Sequence, residues 1–216
     1  GAGGAARAIV GALLDAGSRR LLVANRTPAR AEELRRDFGS RVEPRDWRDV
    51  GKLLEDADLL VNTTSLGMTG QPPLDLPLDN MKDGAVVYDI GANIGDVTMH
   101  ASRIVGESGH IISFEPFPAT LKRLYEHVRM NELKNVRVFP VALGAAEDSF
   151  FMEEYEHNPG MNRIVTGTDI RSASVKVDVK VLDSLFVTEN LPVPEVVKID
   201  VEGFEMEVLQ QINLHI

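Results

Sequence analysis

The sequence predicts an α/β protein, a Rossmann-like three-layer sandwich built on a mostly parallel sheet. Short apolar runs alternate with helical patterns along most of the chain, which is typical of βαβ units. Glycine turns open two of the predicted helices, at residues 1–6 and 91–95. Residues 149–181 break the alternation, because two strand-like stretches follow each other there without a helix between them. We expect this β-rich insert to add antiparallel strands at an edge of the sheet.

The first part of the chain opens with a helical pattern and then alternates. The predicted helices are residues 5–14, 28–38 and 47–55, and the predicted strands are residues 20–24 and 58–62. Thr27 is a suitable N-cap for the second helix, and Pro28 suits its first turn. Residues 70–77 (GQPPLDLP) then exclude a regular helix or a central strand.

The second part of the chain repeats this order with a different charge. The predicted strands are residues 85–90, 110–114, 136–142, 149–155, 174–181 and 193–199, and the predicted helices are residues 97–105, 118–131 and 205–212. Residues 1–80 carry 11 basic and 12 acidic side chains, whereas residues 81–216 carry 12 basic and 21 acidic ones. We therefore divide the chain into two domains, residues 1–80 and 81–216.

The composition excludes several classes of function. With 44% hydrophobic and 26% charged residues, the chain is ordinary for a soluble globular protein. Its net charge of −10 disfavours nucleic acid or an anionic membrane as a partner. Without cysteine it has no disulfide, thiolate nucleophile or cysteine-based zinc site, and its five histidines lack metal-ligand spacing. No apolar run reaches about 20 residues and no signal peptide is evident, so a cytoplasmic location is expected.

One candidate site lies in the second part, where the predicted strand 85–90 ends in Asp89-x-Gly91-x-x-x-Gly95. Glycines there allow backbone N–H groups to approach a ligand, and the following helix N-terminus favours a negative group. Twenty residues after Gly95, the next predicted strand ends at Glu115. A carboxylate in that place can accept hydrogen bonds from both ribose hydroxyls of an adenosine.

These residues and three further motifs resemble the FkbM-like family of S-adenosylmethionine-dependent methyltransferases. The matching stretches are residues 87–95 (VYDIGANIG), 114–116 (FEP), 141–144 (VALG) and 197–203 (VKIDVEG), the last followed by Glu205 and Leu209. They occur in the family's order over about residues 81–212. The resemblance implies S-adenosylmethionine as the cofactor and a small-molecule acceptor, with transfer to an oxygen of a sugar or another small metabolite.

The resemblance also assigns roles to individual residues. The methionine end of the cofactor would be held by Asp89, Gly91, Asn93 and Gly95, the ribose by Glu115, and the adenine near Ala142 and Leu143. Asp200 and Glu202 would face the methyl group and the acceptor, with Asp200 as the best candidate base or orienting group. Each assignment has a structural alternative: the glycines cap a helix, Glu115 is a solvated loop acid, and Asp200 and Glu202 support a helix dipole.

A second candidate site opens the chain. Gly1, Gly3 and Gly4 fit the pattern G-x-G-x-x-A at the start of a helix, although this pattern alone is a weak signal. After the next predicted strand comes Asn25-Arg26-Thr27, where an NAD enzyme would have an acid. Arg26, with Arg30 one turn further, suits a 2′-phosphate instead and favours NADP.

With residues 62–68 (NTTSLGM), which add Thr63 and Ser65, this constellation resembles the NADP-binding domain of shikimate dehydrogenases over about residues 1–80. The family's substrate domain, with its catalytic lysine and aspartate, has no counterpart here, so we expect no shikimate dehydrogenase activity. NADP binding and a retained nucleotide fold with an unused cleft are both open, and we favour the second. Residues 83–90 suit a strand of either family, which suggests a fusion across a shared strand.

Three functions follow: a methyltransferase, an NADP-dependent oxidoreductase fragment, and an inactive hybrid that serves only as a folded scaffold. Residue 1 lies in a turn that normally follows a strand, and the chain ends soon after Gln210, so we expect a fragment. Its two parts should share one mostly parallel sheet, or two closely packed ones, with the strand 85–90 central to the methyltransferase-like part. Glu115 should then lie beside the glycine turn. The oligomeric state is left open.

Overall fold

The computed structural model describes residues 2–15, 17–57, 59–61, 81–155, 158–165, 170–201 and 208. Within them, a five-stranded parallel sheet has the strand order β3-β11-β4-β5-β6, with β3 at Leu60–Val61, β11 at Val196–Ile199, β4 at Val86–Ile90, β5 at His110–Phe114 and β6 at Val136–Phe139. The central strand is β4, as predicted. The first part of the chain contributes β3, which pairs in parallel with the last strand through Ile199 and Val61.

Helices and shorter strands surround this sheet. The helices are α1 (Gly4–Asp15), α2 (Pro28–Phe38), α3 (Val50–Leu53), α4 (Asp96–Val105), α5 (Pro118–Met130) and α6 (Leu182–Thr188), with 3₁₀ turns at Trp47–Asp49 and Leu54–Asp56. Strands β1 (Leu21–Asn25) and β2 (Val42–Asp46) form a separate parallel pair beside α2.

Both faces of the main sheet are covered, which confirms the three-layer architecture. Alternate residues point to opposite faces of a strand. Tyr88 and Ile90 therefore join one apolar cluster, which includes Leu182 of α6 and Ile9 of α1. Val87 belongs to the other cluster, together with residues of α3 and α4.

The two clusters cross the proposed boundary at residue 80. Ile9 packs with the core of β4, β5 and β11, and Val50 and Leu54 pack with the opposite face. A third cluster, which includes Val10, Ala31 and Val42, belongs to the first part alone. Three buried residues of the first part, Ile9, Val50 and Leu54, thus belong to clusters that the two parts share.

The β-rich insert is confirmed, but its expected place at the edge of the main sheet is wrong. Its strands form a separate four-stranded sheet in the order β7-β10-β8-β9, with β7 at Ala142–Leu143, β8 at Asp148–Tyr155, β9 at Asn158–Val165 and β10 at Val175–Lys180. Strand β8 is antiparallel to both of its neighbours, β9 and β10, and β7 runs parallel to β10. The predicted strand 136–142 is split at Pro140, which has no N–H for a ladder.

Candidate functional site

The glycine turn follows the central strand at the carboxyl edge of the sheet. Gly91 and Gly95 have φ values of +75° and +96°, and Asn93 between them has +53°. A Cβ atom on Gly91 would overlap the backbone carbonyl oxygen of Asp200, and one on Gly95 would press against Leu124 of α5. Gly91 is therefore required by both its backbone conformation and the close approach of a neighbouring strand.

Glu115 lies beside this turn, as predicted. Its Oε2 atom accepts a hydrogen bond from the backbone N–H of Asn93 at 2.8 Å. Its Oε1 atom accepts one from the Phe117 N–H at 2.9 Å and one from the Thr120 hydroxyl at 2.7 Å. The side chain is buried, and this burial raises the pKa of the Glu115 carboxyl above its ordinary value, against the lowering effect of the three donors and of the Lys198 charge. Glu115 thus joins the turn to the start of α5.

Asp89 lies beneath the turn, fully enclosed at 0% exposure. Its Oδ2 atom accepts a hydrogen bond of 2.6 Å from Thr98, and its Oδ1 atom lies 2.9 Å from the Lys198 ammonium group. Since the Thr98 hydroxyl has one proton, the Ser113 hydroxyl 2.8 Å away is the donor of the bond between them. Both carboxylate oxygens of Asp89 thus face buried protein groups, and the residue supports the turn from inside the protein.

The turn is also tied to its neighbours through backbone groups. The N–H groups of Gly91 and Ala92 both donate to the Phe114 carbonyl oxygen at 3.0 Å. His127 of α5 lies with its Nδ1 atom 2.7 Å from the carbonyl oxygen of Ile94. These bonds hold the turn in one conformation against β5 and α5.

The other predicted residues of this site are placed as follows. Asp200 is half-buried, and its backbone N–H donates to the Ile90 carbonyl oxygen at 3.0 Å, so it lies directly against the glycine turn. Ala142 is half-buried in β7, just beyond the end of β6, whereas Leu143 is buried in the core. Glu202 and most of the predicted helix 205–212 lie outside the described residues, although Val208 is helical and buried.

The residues predicted for a dinucleotide lie in the first part. Gly3 precedes α1 and Gly4 begins it. Arg26, Thr27 and Arg30 are exposed where β1 leads into α2, and the Asn25 side chain donates to the Thr27 carbonyl oxygen at 2.9 Å. Gly1, Thr63 and Ser65 lie outside the described residues.

Four residues that contact the turn or its acids were not predicted from the sequence: Lys198, Thr98, Thr120 and His127. Lys198 did give a signal, because it is the one charged residue within the apolar run Val196–Ile199. Such a charge is expected to have a buried partner. The other three stand at helical positions where a solvated side chain is equally common.

Comparison with known families decides the relationship. Residues 89–215, more than half of the chain, match the methyltransferase FkbM domain. The chain belongs to this family. A second match, to shikimate / quinate 5-dehydrogenase, covers residues 1–69. The FkbM match therefore contains the glycine turn, Glu115 and Asp200, and the dehydrogenase match contains the residues predicted for a dinucleotide.

The curated relatives resemble the N-terminal part. The shikimate dehydrogenase (NADP(+)) of Dinoroseobacter shibae is 60% identical over 90 residues, which are 42% of this chain and 32% of that protein. The enzyme of the same name from Methylocella silvestris is 59% identical over the same shares. The chain thus spans about a third of the length of these relatives.

Among solved structures, the methyltransferase FkbM of Methylobacillus flagellatus KT is 18% identical with a TM-score of 0.43, covering 61% of this chain and 29% of that one. A SAM-dependent methyltransferase of Aquifex aeolicus is 22% identical with a TM-score of 0.28, covering 41% and 45%.

Within the part of the chain that the structure describes, no three histidine or acidic side chains are grouped so that they could hold a metal ion. Over the same residues, no helix has the length and apolar character needed to cross a bilayer.

Proposed function

We propose that the chain binds S-adenosylmethionine at the glycine turn and transfers its methyl group to an oxygen of a sugar or another small metabolite. The observation that carries this proposal is the hydrogen bond from Asn93 to Glu115, which joins the turn after β4 to the acid after β5. In an open α/β sheet, ligands bind outside the carboxyl ends of the strands, where these two groups lie.

The residues present suit this cofactor. The N-terminus of α4 follows Gly95 directly, and its unpaired N–H groups and positive dipole end favour a carboxylate such as that of a methionine moiety. Glu115 supplies an acceptor for a ribose hydroxyl. Ala142, just beyond the end of β6, is proposed to lie near the adenine. Asp89 supports the turn rather than contacting the ligand, since it is enclosed by protein.

The carboxylate of Glu115 has limited room for a ligand. A carboxylate offers about four acceptor positions, two on each oxygen. Thr120 and Phe117 occupy Oε1, and Asn93 occupies one position on Oε2. Among the residues that the structure describes, these donors leave one position on Oε2, so we infer that Glu115 accepts a bond from one ribose hydroxyl and not from both.

The chemistry expected of the protein is mainly placement. When bound, S-adenosylmethionine supplies the methyl group on a sulfonium centre. Asp200, half-buried against the turn, is proposed to orient the methyl acceptor. It would also take up the proton that the acceptor's hydroxyl loses. Glu202, two residues later in the sequence, is proposed as a second acid.

Calorimetric titration with S-adenosylmethionine and NADPH in parallel tests the proposal. Binding of S-adenosylmethionine with one site per chain supports a methyltransferase. Absence of heat with millimolar S-adenosylmethionine contradicts the proposal. Binding of neither would favour the inactive hybrid.

A second proposed function, NADP binding by the first part, is favoured by its similarity to NADP-dependent enzymes and by the exposed arginines Arg26 and Arg30. If Arg26 contacts a 2′-phosphate, binding should prefer NADP over NAD, and Arg26→Ala should abolish the preference. Equal titration curves for NADP and NAD on the unmodified chain would rule this out.

We also propose that the two parts, residues 1–80 and 81–216, have different ancestries. The dehydrogenase match ends at residue 69 and the FkbM match begins at residue 89, on either side of the proposed boundary. Strand β4 would be the element shared by both ancestors, since it follows the first match and opens the second.

A further inference from the structure

Lys198 of β11 contacts the glycine turn that follows β4. Its Nζ atom lies 2.9 Å from Asp89 Oδ1 and donates a hydrogen bond of 2.8 Å to the carbonyl oxygen of Gly91. Strand pairing aligns Lys198 of β11 with Asp89 of β4. The side chain is buried at 4% exposure, so these contacts form in a site with little water.

The ion pair alone does not explain a buried lysine. Removing two charges from water costs several kcal/mol per ion, and apolar residues of similar volume often serve stability as well or better. The second contact, to Gly91, suggests what the lysine adds. A glycine at φ +75° has no side chain to restrict its backbone, so the direction of its peptide group depends on the hydrogen bonds that this group makes.

The peptide groups of the turn have partners outside it. Gly91 N–H and Ala92 N–H point to the Phe114 carbonyl oxygen, and Asn93 N–H points to Glu115. The Gly91 carbonyl belongs to the same peptide group as the Ala92 N–H and points the opposite way, to Lys198. Phe114 and Lys198 thus hold this peptide group from its two ends.

We propose that Lys198 is a positioning residue for cofactor binding, which acts by fixing the carbonyl group of Gly91 and so the conformation of the glycine turn. This inference rests on the proposed function, because it assigns the turn to S-adenosylmethionine. A purely structural lysine would only neutralise Asp89.

The two roles separate in a pair of double variants. Asp89→Asn with Lys198→Gln, and Asp89→Asn with Lys198→Met, both remove the ion pair and have closely matched side-chain volumes. Only glutamine retains a donor for the Gly91 carbonyl. Both variants lack an unpaired buried charge, which favours folding, and circular dichroism and the melting temperature check that they are folded.

The readout is the affinity for S-adenosylhomocysteine, measured by calorimetry. The glutamine variant is expected to bind at least tenfold more tightly than the methionine variant, although their melting temperatures agree within a few degrees. The amide resonances of Ala92 and Asn93 should also differ between the two without ligand. Equal affinities, or equal loss of binding, would overturn the role of Lys198.

A structural control comes from the same buried network. Ser113→Ala removes the hydroxyl that donates to Thr98 but leaves Lys198 and Gly91 in contact. It should lower the melting temperature while the affinity stays within about threefold. Failure of the unmodified chain to bind S-adenosylhomocysteine would instead contradict the proposed function itself.

Discussion

The backbone N–H of Asn93 donates a hydrogen bond of 2.8 Å to Oε2 of Glu115, across 22 residues of sequence. This bond places the acid that ends β5 against the turn that ends β4. It also fixes how much of the Glu115 carboxylate is left for a ligand, and several predictions depend on that.

The first prediction concerns pH. Burial raises the folded-state pKa of Glu115, so the native state holds its proton more tightly than the unfolded state. The associated stability is fully present below the ordinary glutamate pKa of about 4.3 and is lost as the pH rises through the higher folded value. Urea unfolding of Glu115→Gln across this range should show a weaker fall in stability than the unmodified chain. Parallel pH profiles would contradict the assignment.

Gly91→Ala should destabilise the fold more than an ordinary glycine substitution at positive φ. The new Cβ would overlap the Asp200 carbonyl oxygen, in addition to the cost of the left-handed backbone, about 1–2 kcal/mol. Gly17→Ala is the control, because Gly17 also has a positive φ, of +95°, and no atom within 4 Å of the added Cβ. Thermal denaturation should give a larger loss for Gly91→Ala; equal losses would show that the strand can move away.

The ribose contact can be tested with analogues of S-adenosylhomocysteine that lack the 2′- or the 3′-hydroxyl. Since Glu115 has one acceptor position left, one analogue should bind about tenfold more weakly and the other nearly as well as the parent, given about 1.4 kcal/mol for one lost bond. Comparable losses for both analogues would show that Glu115 contacts both hydroxyls.

The sequence was sufficient for the parallel core and for the adjacency of Gly91 and Glu115. Apolar runs flanked by glycine identified β4 and β5, and Gly91 and Glu115 both follow strands whose carboxyl ends meet at one edge. The prediction of α2 at Pro28–Phe38 is correct in both bounds, with Pro28 in its first turn and Gly39 after its last residue. The Thr27 side chain, however, makes no capping hydrogen bond.

Other features depend on tertiary contacts that a single sequence does not display. Strand β2, residues Val42–Asp46, has three charged residues and a proline among its five positions and is stabilised by pairing with β1. Helix α6, residues Leu182–Thr188, is too short for a clear period. The partner of Lys198 lies 109 residues away on β4, so only the pairing of β11 with that strand identifies it.

The shared core predicts that the two parts of the chain unfold together. Ile9 of α1 is buried with Tyr88 and Ile90 of β4, so Ile9→Ala should cost about 2–5 kcal/mol. Fluorescence of Trp47, the single tryptophan, reports on the first part, and circular dichroism reports on the whole chain. Ile9→Ala should lower the melting temperature seen by fluorescence and by circular dichroism equally. Val187→Ala, at an exposed site, should change neither melting temperature. A shift in only one signal would indicate separate folding units.

The central claim is that Glu115 and the glycine turn together bind the adenosyl cofactor. The most direct test is the affinity for S-adenosylhomocysteine of the unmodified chain and of Glu115→Ala, measured by calorimetry. Glu126→Ala, which removes an exposed glutamate of α5, is the control. The unmodified chain and the control should bind alike, whereas Glu115→Ala should lose about 1–3 kcal/mol of binding free energy. Unchanged affinity in a folded Glu115→Ala variant would contradict it.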